Sequence, residues 1–73
     1  MMTRLGAKVR VLRRQRGLIL REVAGVIGVH YTHLQKIEAG RKRPSADVIL
    51  KLAALFDVTA DQLMRDDLDV DAC

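Results

Sequence analysis

Three glycines, Gly17, Gly28 and Gly40, divide the first forty residues into short stretches of helical apolar spacing. Stretches of that length are marginal as isolated helices, so this chain can fold only by packing them against one another. In the first stretch Leu5, Val9 and Leu12 recur at i, i+4 and i+7, which predicts a helix over residues 3–16. Arg4, Lys8, Arg13 and Arg14 fall largely off its apolar face. A second helix is expected over residues 20–27 with Val23, Ala24 and Ile27 inward, and a third over 31–39 with Leu34 and Ile37 inward. After Gly40 come Arg41-Lys42-Arg43, Pro44 and Ser45, and Ser45 suits the N-cap of a fourth helix ending near Phe56. Val48, Leu52, Leu55 and Phe56 form the expected inner face of that helix. Asp57-Val58 makes a turn, and Thr59 with Gln62 has capping-box spacing for a fifth helix that carries Leu63 inward and ends near Arg65. The expectation is an all-α, five-helix domain over residues 1–65, followed by an acidic, self-repelling and frayed tail over 66–73.

Composition narrows the classes. Of 73 residues 49% are hydrophobic but only Tyr31 and Phe56 are aromatic, so the core must be aliphatic. A chain this short has little core to spare, which makes self-association an expectation from the outset. No apolar run approaches the ~18 residues of a membrane span, and the start lacks a leader pattern. Cys73, the lone cysteine, cannot form an internal disulfide. These features point to the cytoplasm, with no membrane partner. His30 and His33 stand three apart with no Cys, Asp or Glu nearby in sequence to complete a metal site. No phosphate-cradling glycine loop or nucleophile with a base is present, so neither enzyme activity nor a cofactor is expected.

The charge is one-sided. Residues 1–43 hold eleven Lys/Arg against Glu22 and Glu38, net +9, whereas residues 44–73 hold Lys51 and Arg65 against seven aspartates, net −5. A basic front on an acidic back favours a polyanion such as duplex DNA, although a solvated charged surface would read alike.

Residues 20–39 are the informative stretch. A helix pair crossing through a tight turn needs a small residue at the crossing, a glycine in the turn and apolar residues where both helices meet the core. Ala24, Gly28 and the set Val23, Ile27, Val29, Leu34 and Ile37 meet those needs in register. With Leu5-Gly6-Ala7-Lys8-Val9-Arg10, Leu12-Arg13, Gly17-Leu18, Glu22-Val23-Ala24, Gly28-Val29, Ile37-Glu38-Ala39-Gly40, Arg43-Pro44-Ser45 and the pattern from Leu50 to Leu63, the chain resembles the phage-repressor and Cro-like helix-turn-helix regulators of the xenobiotic response element type. The resemblance covers residues 4–64. It implies a lambda-repressor-like fold, a third helix laid in the major groove of double-stranded DNA, and a salt bridge between Arg13 and Glu38.

Successive helical residues step by about 100°, so Thr32, Gln35 and Lys36 lie opposite the Leu34–Ile37 face, with Tyr31 and His33 as flanks. The resemblance puts Tyr31, Thr32 and Lys36 on base edges, with Gln35 next. Lys36 suits guanine O6/N7, Gln35 suits adenine N6/N7, and Thr32 or the Tyr31 ring suits a thymine methyl; a phosphate contact is the alternative for Gln35 and Lys36. Arg41, Lys42 and Arg43 are placed to meet phosphates, or else simply solubilise the loop.

Two features depart from the family. Ile19 and Leu20 stand where a polar cap and a phosphate-holding glutamine are usual, with Arg21 one step away as a substitute. They are either tolerated surface aliphatics or a contact for a protein partner. His30 replaces the usual Ser or Thr cap of the third helix. Leu55, Val58, Leu63, Met64 and Leu68 exceed what one short terminal helix can bury, which marks a homodimer interface. The function expected is a stand-alone transcriptional regulator, a repressor, on a two-fold-related operator. A protein-interaction or antitoxin-like module is the alternative.

Overall fold

The first helix, α1 (Leu5–Gln15), is laid down by the Leu5, Val9 and Leu12 stripe, and all three side chains are buried. It is followed by α2 (Leu20–Ile27), α3 (Tyr31–Glu38), α4 (Ala46–Phe56) and α5 (Ala60–Met64) in a computed structural model that describes residues 3–70. Met1, Met2, Asp71, Ala72 and Cys73 lie outside the described residues, and with them the lone thiol and the last part of the acidic tail. Among the described residues there is no strand, and no helix is long and apolar enough to cross a membrane.

The local signals act where the residues stand. Ser45 Oγ accepts the Val48 amide at 3.2 Å and so caps α4. Thr59 and Gln62 form a reciprocal box: Thr59 Oγ1 accepts the Gln62 amide at 3.0 Å while Gln62 Oε1 accepts the Thr59 amide at 2.8 Å. One core runs through the molecule, with Leu12, Val23, Ile27, Leu34, Ile37, Leu52, Phe56 and Leu63 among its fully enclosed side chains. Helix α4 touches α1, α2 and α5. Its buried face is therefore wider than the sequence spacing suggests, taking in Ile49 and Ala53 and leaving Leu55 half-buried at the rim.

Lys8 departs further from expectation. It is 3% exposed rather than off the packed face. Its Nζ donates to the Gln62 and Arg65 carbonyls, each at 2.6 Å, and so satisfies the acceptors left open where α5 ends. Burial and the neighbouring Arg4 hold its pKa below the usual lysine value, against the pull of Asp66, Asp69 and Asp67.

Residues 66–70 are not frayed. They cross back over the start of α1 as a strap. The Asp66 carboxylate accepts the Thr3 hydroxyl at 2.7 Å and the amides of Thr3 and Arg4 at 3.3 and 3.1 Å. Arg4, the N-cap residue, makes no side-chain cap of its own, so a carboxylate from the far end of the chain serves α1 instead. Arg4 in turn donates to the Asp66 carbonyl at 2.6 Å and to Asp69 at 2.7 Å, and Val70 is buried. Self-repulsion among the aspartates is offset by these pairings.

The strap should respond to acid. The Thr3 hydroxyl, then the Arg4 amide, lower the Asp66 pKa from 3.8 to about 2, and Arg4 lowers that of Asp69. A carboxyl whose folded pKa is depressed stabilises the docked state above its unfolded value and ceases to do so as pH falls through the folded one. Between about pH 4 and about pH 2 the strap should therefore leave α1. The Thr3 and Arg4 amide resonances should shift across that window in the wild type and much less in Asp66→Asn. Amides that stay fixed down to pH ~2 would show that Asp66 does not hold the strap.

Candidate nucleic-acid interface

Helices α2 and α3 meet through a turn at Gly28, whose φ of 76° is the left-handed conformation that ends α2. The Val29 amide returns to the Ala24 carbonyl at 3.0 Å, and Ala24 is small enough to be buried at the crossing. His30 then takes the extended N-cap conformation of α3. Its Nδ1 accepts the Thr32 amide at 3.2 Å and contacts Thr32 Oγ1 at 2.8 Å, so an imidazole fills the role of a hydroxyl cap.

Leu34 and Ile37 are enclosed in the core while Thr32, Gln35 and Lys36 are exposed on the other side of α3. These three line an open basin of about 640 Å³ together with Arg10, Ala39 and Arg41. Tyr31, the first residue of α3, is half-buried and stacked on the His30 ring at 4.8 Å, with the Arg21 guanidinium 4.6 Å from its centroid. His33 is half-buried as the opposite flank. The basic loop is divided: Arg41 borders this basin, whereas Arg41, Lys42 and Arg43 all border a second one beside Thr3, Gly6 and Gly40. Arg10, contributed by α1, is the residue sequence reasoning missed. No local pattern carries its position, because it follows from how α1 crosses α3.

That crossing is tight. A Cβ on Gly6 would overlap the Ile37 carbonyl oxygen and lie 2.6 Å from that of Glu38. Beside it the Arg13 Nε donates to Glu38 Oε2 at 2.8 Å, Nη2 to Oε1 at 3.2 Å and Nη1 to the Leu18 carbonyl at 2.9 Å. The hydrogen bond to Glu38 raises the Arg13 pKa, and no buried side-chain nitrogen or oxygen among the described residues lacks a partner.

Leu63, placed inward on the fifth helix by its spacing and also expected at a subunit interface, is fully enclosed in the chain's own core, where α5 meets α4 and α1. Leu55, Val58, Met64 and Leu68 remain half-buried. Leu20 likewise packs against the core, which leaves Ile19 as the exposed member of the pair that could have met a protein partner. Ile19 is the N-cap of α2, 58% exposed and without a side-chain acceptor, and only the return half of a capping box exists: Glu22 Oε1 accepts the Ile19 amide at 2.9 Å. Ile19→Ser should complete the box and stabilise the fold by about 1 kcal/mol, read as a higher melting temperature. A lower one would show that the exposed isoleucine makes a stabilising contact.

A family described as a helix-turn-helix domain matches residues 4–66. The HTH-type transcriptional regulator DdrOP3 of Deinococcus deserti is 33% identical over 62 residues, covering 85% of this chain and 48% of the relative. The chain thus spans about half the length of that curated relative. Among solved structures, the N-terminal DNA binding domain of SinR from Bacillus subtilis superposes with a TM-score of 0.80 at 28% identity, covering 88% of this chain and 94% of that one. The restriction-modification controller protein C.AhdI from Aeromonas hydrophila gives 0.77 at 29% identity, covering 85% and 94%.

Proposed function

From a chain that belongs to the helix-turn-helix domain family, we propose a DNA-binding transcriptional regulator, a repressor, that lays α3 in the major groove of a two-fold-related operator. The observation that carries this reading is the exposed row Thr32, Gln35 and Lys36, backed by Leu34 and Ile37 in the core and bordered by Arg10 and Arg41. A convex helix with polar tips and flanking cations fits a groove about 12 Å wide, whose base edges carry a full donor and acceptor code. Lys36 donates to guanine O6/N7, Gln35 pairs with adenine, and Thr32 and Tyr31 contact thymine methyls. Arg21, His33, Arg41, Lys42 and Arg43 serve the flank and the phosphates, which fix register without reading sequence. The regulator name of the Deinococcus relative and the DNA-binding title of the SinR domain support the same reading. It is a binding function, with no catalytic step.

Selection of bound duplexes from random DNA should return a two-fold-related consensus. Lys36→Ala should then relax one base pair in each half-site and cost about 1–3 kcal/mol on that consensus. Equal losses on consensus and random DNA would remove Lys36 from base reading.

The proposed regulator binds as a homodimer. One α3 covers too few base pairs for operator-grade selectivity, and two linked half-sites multiply it. Leu55, Val58, Met64 and Leu68, half-buried around α5, are the surface proposed for the second copy. Sedimentation equilibrium across micromolar concentrations should reveal a dimer that Val58→Asp weakens. A monomeric mass throughout, with one chain bound to a two-half-site operator, would overturn the dimer.

A further inference from the structure

Arg10 belongs to α1, outside the helix-turn-helix itself. Its side chain is 44% exposed, and its Nε lies 3.5 Å from Glu38 Oε1, the outer limit of a hydrogen bond. Glu38 is already held by Arg13, whose Nε and Nη2 reach the two carboxylate oxygens at 2.8 and 3.2 Å. The two arginines are therefore unequal. Arg13 is a bidentate partner, 12% exposed and tied also to the Leu18 carbonyl. Arg10 is a loose second one. Its guanidinium borders the same basin as Thr32, Gln35, Lys36 and Arg41, so three cations surround one open polar depression.

We propose that Arg10 is a DNA phosphate-contacting residue that leaves Glu38 for the backbone of the strand beside α3. The proposal rests on the DNA-binding reading and adds a contact from a third helix. The exchange is favourable on simple grounds. An ion pair stretched to 3.5 Å, with its arginine 44% exposed and its carboxylate already held by Arg13, contributes little, whereas a guanidinium on a phosphate makes short, charge-assisted, paired hydrogen bonds. Glu38 is not orphaned when Arg10 leaves, because Arg13 keeps both of its oxygens satisfied. A contact of this kind adds affinity on every sequence, and it contributes no base preference.

The probe is a short random-sequence DNA duplex, titrated between about 50 and 200 mM salt with wild type, Arg10→Gln and Arg10→Lys. Loss of one phosphate contact makes the salt slope shallower by about 0.9, so the wild-type advantage over Arg10→Gln should shrink roughly three- to fourfold across that range. Arg10→Lys should keep the wild-type slope, since it keeps the charge. The melting temperature of Arg10→Gln should stay near that of wild type. A wild-type slope in Arg10→Gln would overturn the proposal, and a lowered melting temperature with that unchanged slope would make Arg10 a structural partner of Glu38 instead. Should the wild type itself show no salt-dependent duplex binding, the DNA-binding reading falls first and this contact with it.

Discussion

The fold depends on the seam between α1 and α3, where two helix backbones come together without a side chain between them. Gly6 sits against the Ile37 and Glu38 carbonyls, and adding one methyl there forces the helices apart at about 1–3 kcal/mol by analogy with overpacked cores. Arg13 and Glu38 close the same seam with a paired ionic contact that also reaches the turn at Leu18. Removing Arg13 leaves the enclosed Glu38 carboxylate only the long contact to Arg10, and removing Glu38 leaves the Arg13 guanidinium only the Leu18 carbonyl. Because Glu38 is the last residue of α3, the seam fixes that helix at its C-terminal end while Leu34 and Ile37 fix its inner face.

The charge distribution takes on a different meaning once the contacts are known. Four of the cations in the basic half work inside the molecule. Arg4 and Lys8 hold the strap and the end of α5, Arg13 holds Glu38, and Arg16 donates to the Phe56 carbonyl at 2.6 Å with its guanidinium over the Phe56 ring. The strap brings Asp66 and Asp69 onto the start of α1, so the acidic half neutralises one end of the basic half. The exposed cations Arg10, Lys36 and Arg41 gather instead around the outer face of α3. Formal charge by sequence segment thus overstates the field at the start of α1 and understates how sharply it concentrates at α3.

The same distinction explains which features the sequence made legible. Helix limits, the Ser45 cap, the Thr59–Gln62 box, the Gly28 turn and the outward row on α3 all depend on residues within four positions of one another, and each can be read from spacing alone. Lys8, Asp66 and Arg10 depend on partners far along the chain. Lys8 looks like a surface cation until the end of α5 is brought to it, and Asp66 looks like part of a repelling tail until two α1 amides need an acceptor.

The brevity of the helices ties stability to recognition. Helices α2 and α3 have eight residues each, below the length at which an isolated helix persists in water. Neither supplies its own rigidity, so the outward row Thr32, Gln35 and Lys36 is presented only as firmly as Leu34, Ile37, Gly6 and Arg13 are packed. The contact geometry proposed for that row, which must be held to within a fraction of an ångström, is consequently set by residues packed behind it. On the proposed DNA-binding reading, substitutions along the α1–α3 seam act through the orientation of α3, whereas those on its outer face act through the proposed contacts themselves. The two kinds separate by their thermal stability: the first lowers the melting temperature along with affinity, and the second leaves it in place.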